Sequence, residues 1–281
     1  MKKLIAIFLT TSMLFAISIA PSFGLEYNHI FKKTQDAKQY FKSEILHRSD
    51  PIDFYLLSSN DQLNIKKVFD KSLFYEKATD FSNRGDYIRY SIFNGYQLSY
   101  TIKCHLGKYK YHFTFQPSYK TSLQQEKDFE KKLKEVITSL KLNNKSDFEK
   151  ISAIYNYVCK NVKYDHTNGS NYPVKYTSYG ALNNKSAVCQ GYASLIYAMC
   201  KEAKIPVRII TGKSKGQLHA WNIVKIGSHY YNLDATWDSI NDDYQYFLKS
   251  NKGFKYHTRN TSFNTKSFNK THKMSSKNYP C

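Results

Sequence analysis

The stretch HAWNIVKIGSHYYNLD, residues 219–234, has two apolar runs on either side of Gly227-Ser228. Two such runs joined by a two-residue turn are typical of an antiparallel β-hairpin. Counting outward from this turn pairs Trp221 with Asp234. Because alternate residues of a strand share a face, His219 is predicted to be a diagonal neighbour of Asp234, within side-chain reach. A three-residue turn would instead place these two side chains on opposite faces.

A cysteine at the start of a predicted helix lies upstream of this hairpin, in Ala-Val-Cys-Gln-Gly-Tyr-Ala at residues 187–193. The helix is indicated by small or apolar residues at helical spacing: Cys189, Ala193, Ile196, Cys200 and Ala203. The dipole and free backbone amides of a helix N-terminus favour a thiolate over a thiol, and these amides can hold an oxyanion. Cys189 therefore lies where a reactive thiol is favoured, and Asp234 lies where a carboxylate can orient an imidazole.

Each of these residues also has an ordinary structural interpretation. A single cysteine is most often a small core residue, and a histidine in a strand is most often a satisfied polar group. Asp234 could be a turn or capping residue. The order of cysteine, histidine and aspartate on a helix start, a strand and its paired strand is much less often accidental.

Residues 147–238 resemble the transglutaminase-like superfamily of papain-related thiol enzymes, and in particular its exported bacterial members. The resemblance rests on residues 187–193, on His-Ala-Trp-Asn at 219–222 and on Tyr-Asn-Leu-Asp-Ala-Thr-Trp-Asp at 231–238. It implies an α+β fold in which the cysteine-bearing helix packs on an antiparallel sheet that carries the histidine and the aspartate.

The resemblance also implies the roles of the site residues: Cys189 as nucleophile, His219 as base and Asp234 as the residue that orients the base. Animal transglutaminases use an aromatic residue upstream of the cysteine to stabilise the oxyanion, and Tyr164 and Tyr179 are the candidates for it here. The expected function is that of an exported thiol enzyme acting on protein or peptide amide bonds through a thioester. Acyl transfer to an amine and hydrolysis both fit these residues.

Charge and motif content bear on other function classes. The net charge of +20, from 42 Lys and Arg against 22 Asp and Glu, favours anionic partners such as a cell-surface polymer. A non-catalytic module that binds a wall polymer on the same fold is therefore the alternative function. Only five of the 42 basic residues are Arg, so nucleic acid is not expected as a partner. The sequence lacks Cys-x-x-Cys and His-Glu-x-x-His motifs, and we expect no metal or cofactor.

The N-terminus has the order of a secretory signal peptide. Met1-Lys2-Lys3 precedes an apolar run that ends in small residues at Ser22 and Gly24. We expect cleavage after Gly24, a secreted or cell-envelope location, and no stable membrane insertion of the mature chain. An uncleaved anchor is the alternative, which the apolar length barely permits.

Composition and local pattern predict four parts. A chain that is 41% hydrophobic and 16% aromatic can bury a core, which excludes wholesale disorder. Residues 1–24 are the predicted signal peptide, and residues 25–145 an α+β region of unknown role. Residues 146–248 are the predicted catalytic core. Residues 249–281 are a basic tail expected to lie loosely or along the surface.

Periodicity predicts three elements in the N-terminal region. Residues Ala37, Phe41 and Ile45 are four apart and indicate a helix over residues 31–45. Alternating aromatic and aliphatic residues predict an extended hairpin over 87–115, with Gly107 in its turn. A charged helix with one apolar stripe is predicted over 124–142.

Four cysteines remain beside Cys189: Cys104, Cys159, Cys200 and Cys281. They allow three disulfide pairings, and export would make a disulfide feasible. Cys159 and Cys200 lie on the apolar stripes of two predicted helices, so buried free thiols are the simpler expectation for them.

Overall fold

The computed structural model describes six parts of the chain: residues 29–59, 63–65, 68–69, 73–167, 173–241 and 244–280. The chain divides into two compact units. Of the described residues, those up to Leu73 and those of Asn94–Tyr119 form the smaller unit, and those of Phe74–Phe93 and from Lys120 onward form the larger unit. The predicted signal peptide and Cys281 lie outside the described residues.

The smaller unit contains a four-stranded sheet in the order β1-β2-β4-β3. Its strands are β1 Ile30–Phe31, β2 Ile52–Ser58, β3 Phe93–His105, which begins at the unit boundary, and β4 Lys108–Tyr119. Helix α1, Thr34–His47, buries the three residues whose spacing predicts it, Ala37, Phe41 and Ile45. The core of the smaller unit is aromatic, and the rings of Phe41 and Phe115 are centred 4.3 Å apart.

The predicted hairpin is confirmed for β3 and β4 and is wrong at its beginning. Leu106 and Gly107 form the turn with φ of 48° and 70°, the left-handed backbone that a tight hairpin turn requires. Residues 87–92 are helical instead of extended. Ile88 and Ile92 are both buried and lie four residues apart, so burial there follows the helical period rather than the period of two.

The larger unit is built around a second four-stranded sheet, antiparallel throughout, in the order β10-β7-β8-β9. The strands of this sheet are β7 Val207–Ser214, β8 Gln217–Ile226, β9 His229–Leu233 and β10 His257–Arg259. The larger unit also has a separate two-stranded parallel sheet of β5 Lys163–Tyr164 and β6 Ser186–Ala187. Its α-helices are α2 Gly85–Tyr87, α3 Leu123–Ser139, α4 Asp147–Asn161, α5 Ser178–Asn183, α6 Cys189–Glu202, α7 Ala235–Asn241 and α8 Lys266–Thr271. A π-helical turn at Ile88–Ile92 follows α2, and 3₁₀ turns occupy Pro173–Tyr176 and Thr261–Phe263.

The hairpin of β8 and β9 has the register that a two-residue turn predicts. Ile226 pairs with His229, and the pairing continues to Asn222 opposite Leu233. Gly227 supplies the left-handed conformation of the turn, with φ of 57°. The predicted parity of the two strands is therefore confirmed.

Helix α6 packs on this sheet, and the expected α+β fold is confirmed. The amide nitrogen Nδ2 of Asn222 in β8 donates to the carbonyl oxygen of Ala193 in α6 at 2.9 Å. Every residue of α6 from Gly191 to Lys201 is buried, not only the predicted stripe. The reason is that α6 is internal, in contact with α4, α5 and β8.

The predicted tail is folded onto the sheet as far as the structure describes it. Strand β10 pairs with β7, with His257 opposite Ser214. Phe254 and Phe263 are buried in one core cluster with Trp221. Lys, Ser and Asn are abundant in this segment, and such a composition does not indicate aromatic contacts with the core. The expectation of a loose segment is wrong here.

The four cysteines in the described part of the chain are all free thiols. Cys200 is buried and Cys159 is partly buried, in agreement with their places on apolar stripes, whereas Cys104 is exposed. Burial raises the pKa of Cys159 and of Cys200, which keeps both as unreactive thiols.

A close approach at Gly191 sets the position of the first turn of α6. A Cβ atom on Gly191 would lie 2.6 Å from the Cβ of Ala187. It would also lie 2.7 Å from the carbonyl oxygen of Lys175 and 3.0 Å from that of Thr177. Only glycine therefore lets this turn lie against the chain at residues 175–177.

The substitution Gly191→Ala should lower the free energy of unfolding by about 1–3 kcal/mol, because the added methyl group overpacks this contact. Urea denaturation monitored by tyrosine and tryptophan fluorescence measures the change. An unchanged midpoint would show that the backbone at residues 175–177 yields without cost.

Candidate active site

The carboxylate of Asp234, at the end of β9, is buried and accepts hydrogen bonds on both oxygens. The backbone amides of Thr236 and Trp237 donate to Oδ1 at 3.0 and 3.3 Å. Nε2 of His219 donates to Oδ2 at 2.7 Å, and Nε2 of His257 donates to the same oxygen at 2.9 Å. Burial acts to raise the pKa of Asp234, but the bonds from the two histidines outweigh it and lower that pKa. Asp234 is therefore an ionised carboxylate inside the protein.

His219 lies between this carboxylate and Cys189. A carboxylate only accepts hydrogen bonds, so the Nε2 atom that faces Asp234 carries a proton and Nδ1 is left for the thiol. Burial acts to lower the pKa of His219, but hydrogen bonds with Asp234 and Cys189 outweigh it and raise the pKa to about 10. The imidazolium form is thus favoured near neutral pH, as a thiolate–imidazolium pair requires.

Cys189 is the first residue of α6 and is partly exposed. The capping residue Val188 offers no side-chain hydrogen bond to this helix end. Amides in the first turn of a helix have no acceptor within the helix, so those of Cys189 and Gln190 are the donors available to an oxyanion. The sequence-predicted nucleophile, base and orienting carboxylate thus lie together, at the end of one helix and on one hairpin.

Tyr164 and Tyr179 are the two candidates for an aromatic donor to the oxyanion. Tyr164, in β5, pairs with Ala187, two residues before Cys189. Burial, and after it the charge of Cys189, raise the pKa of Tyr164. Tyr179 lies in α5. The oxyanion role stays a prediction for both residues.

Other residues of the sequence motifs support the site. Trp221 is buried in the core cluster of the sheet. Trp237 is partly buried, and its ring is centred 5.7 Å from that of His219. Asp238 accepts a hydrogen bond from the buried hydroxyl of Tyr155 in α4. These contacts join α4, α7 and the sheet around the histidine.

His257 is the residue that sequence reasoning missed. It lies 23 residues beyond Asp234, in the region interpreted as a basic tail. No motif surrounds it in the sequence. The aromatic residues on either side of it, such as Phe254, were the available signal that this region packs against the core.

One group in the described part of the chain has the composition of a metal site. The ligating atoms of His219, Asp234 and His257 lie within 4.8 Å of one another. Hydrogen bonds of 2.7 and 2.9 Å from the two rings to one carboxylate oxygen account for this clustering. A metal ion there would have to replace both of these protons.

Comparison with known families agrees with this geometry. Residues 134–235 match the model of the transglutaminase-like superfamily. Over 120 residues the chain is 28% identical to the Kyphoscoliosis peptidase of Mus musculus and to that of Homo sapiens. The match covers 38% of this chain and 18% of each relative, so the chain spans less than a fifth of the curated relatives it matches.

Two solved structures are similar to parts of the chain. A structure described as that of a TGase is 14% identical, with a TM-score of 0.35, and the match covers 75% of this chain and 59% of that one. A candidate cysteine protease from Cytophaga hutchinsonii is 16% identical, with a TM-score of 0.32, and the match covers 52% of this chain and 65% of that one. The family match is thus confined to residues 134–235 of this α+β chain, the part that holds the cysteine-bearing helix and most of the sheet, and this part is similar to the transglutaminase-like superfamily.

Proposed function

We propose that this protein is a thiol enzyme that cleaves protein or peptide amide bonds through a thioester on Cys189. The observation that carries the proposal is the buried 2.7 Å hydrogen bond between His219 and Asp234, with Cys189 as the other partner of His219. A thiol, an imidazole and a carboxylate in this order are the groups that nucleophilic catalysis at a carbonyl requires.

The first half of the reaction forms the thioester. Nδ1 of His219 takes the proton of the Cys189 thiol, and the thiolate attacks the amide carbonyl carbon. The negative charge moves to the carbonyl oxygen, where the amides of Cys189 and Gln190 can donate to it. The carbon–nitrogen bond then breaks, and the leaving amine takes the proton from the His219 imidazolium.

The second half depends on the acceptor. Water gives a carboxylic acid, and a primary amine gives a new amide; in both cases His219 removes a proton from the acceptor and Cys189 leaves as the thiolate. The curated relatives are named as peptidases, which supports hydrolysis. The name of the superfamily supports transfer.

A non-catalytic module that binds a cell-surface polymer is the second candidate. The charge of +20 favours it. The buried His219–Asp234 pair next to a partly exposed thiol supports the enzyme instead, because polymer binding requires no such pair.

Location and partners belong to the same proposal. The order of residues 1–24 supports export to the cell envelope or beyond. Among the described residues, no helix combines the length and the apolar character needed to cross a bilayer. The basic charge supports an anionic surface polymer as a partner beside the protein or peptide substrate.

The proposed reaction is tested with a glutamine-rich protein and a labelled primary amine, read out by label uptake and by fragment mass. We expect incorporated label, new termini, or conversion of Gln to Glu, and we expect all of these to vanish in Cys189→Ala. Label uptake identifies a transferase, and the other two products identify a hydrolase.

The matched control for this assay is Cys104→Ala, which removes an exposed free thiol from the smaller unit. It should behave as the wild type. Product formation by the Cys189→Ala protein would contradict the assignment of Cys189 as the nucleophile.

A pH titration tests the role of the carboxylate. In Asp234→Asn the charge that stabilises the His219 cation is gone while burial remains. The pKa of His219 should therefore fall from about 10, with the bond to Cys189 left as the contribution that still raises it. NMR titration of the His219 ring measures the shift.

Asp53→Asn is the matched control for this titration. It removes the carboxylate of another His–Asp pair, which is bonded to His112 at 2.7 Å in the smaller unit. That variant should leave the His219 titration unchanged. A midpoint that stays near pH 10 in Asp234→Asn would show that Asp234 does not set the charge of His219.

A further inference from the structure

His257 has both of its ring nitrogens engaged inside the protein. Its side chain is 1% exposed. Nε2 lies 2.9 Å from Oδ2 of Asp234, and Nδ1 lies 2.9 Å from the carbonyl oxygen of Lys255. A carboxylate oxygen and a carbonyl oxygen both accept hydrogen bonds and donate none. A neutral ring can satisfy only one of these acceptors, whereas the doubly protonated ring donates to both.

Aromatic side chains hold the ring of His257 in this orientation. Its centroid lies 3.9 Å from the ring of Phe254, 5.1 Å from that of Trp221 and 5.4 Å from that of Tyr246. These three residues are themselves buried, so their packing holds the imidazole beside Asp234.

The ionisable groups that face His257 come from three directions. Asp234 at the end of β9 and His219 in β8 lie on one side, with the two imidazole rings centred 5.5 Å apart. Arg259, on the same strand, lines a cavity of about 200 Å³ together with His257. Tyr246 contributes a phenol ring, and Ser214, the partner of His257 in β7, is uncharged.

His257 donates to the same oxygen of Asp234 to which His219 donates. Oδ2 of Asp234 accepts from both His219 and His257. A second donor draws negative charge away from that oxygen and weakens its attraction for the proton on His219. At the same time it fixes the direction in which the carboxylate points.

We propose that His257 is a positioning residue of the active site. It holds the Asp234 carboxylate against His219 and lowers the proton affinity of the Cys189–His219 pair. This inference rests on the thiol chemistry of the proposed function. It predicts that the loss of the His257 donor moves the titration of the pair to higher pH.

The test is the rate of alkylation of Cys189 by iodoacetamide as a function of pH, followed by peptide mass mapping so that the other cysteines do not contribute. No substrate is needed. In His257→Phe, which keeps a ring but has no donor, the plateau rate should fall about tenfold through misplacement of the pair. The pH midpoints of the rate profile should move upward by about 0.5–1 pH unit.

His257→Gln can place an amide nitrogen near the position of Nε2 and so keeps the donor. Its plateau rate should stay within about threefold of the wild type, a modest loss for a site whose geometry is kept. His229→Gln changes a histidine on β9 that does not contact Asp234, and its profile should coincide with that of the wild type. Thermal unfolding of each variant separates a loss of folding from a loss of reactivity.

The outcomes separate the role of His257 from the proposed thiol chemistry of Cys189. A reactive Cys189 whose pH profile in His257→Phe coincides with the wild type overturns the role of His257 alone. A wild-type Cys189 that reacts like an ordinary free cysteine overturns the proposed function and this inference together. If His257→Phe does not fold, His257→Asn decides, because its amide is too short to reach Oδ2. Full reactivity in that variant overturns the inference.

Discussion

The larger unit depends on one buried charge, the carboxylate of Asp234. An ionised group inside a protein is tolerated only when donors surround it, and removing one partner from such a group typically costs about 3–5 kcal/mol. The donors here are two backbone amides at the start of α7 and the imidazoles of His219 and His257. One carboxylate therefore bonds the start of α7, strand β8 and the C-terminal segment to the end of β9.

The same charge decides the chemistry of its neighbours. Burial by itself would leave His219 neutral, because a low-dielectric surrounding disfavours the cation. The bonds with the carboxylate and with Cys189 reverse that preference for His219. The geometry of α6 adds the second requirement, since Gly191 lets the first turn lie close to residues 175–177 and so sets the position of the thiol. Electrostatics thus sets the charge of His219, and close packing sets the position of Cys189.

Local pattern predicted most of this site. The Gly227-Ser228 turn fixed the strand parity, and the helical spacing after Cys189 predicted α6. Two features were not predictable in this way. Residues 87–92 carry both a helical and an alternating pattern, and only tertiary burial decides between them. His257 reaches Asp234 across 23 residues, and such a long-range contact leaves no local periodicity.

The segment after residue 235 also closes the edges of the second sheet. Strand β10 covers β7, and bridges from Lys249 and Met274 cover β9. The family match ends at residue 235, before all three of these contacts. A chain cut at that boundary would present two rows of unpaired backbone groups, and exposed strand edges of this kind pair with other molecules. For this protein, the residues that match the family model and the residues needed to cover both edges of the sheet are therefore different.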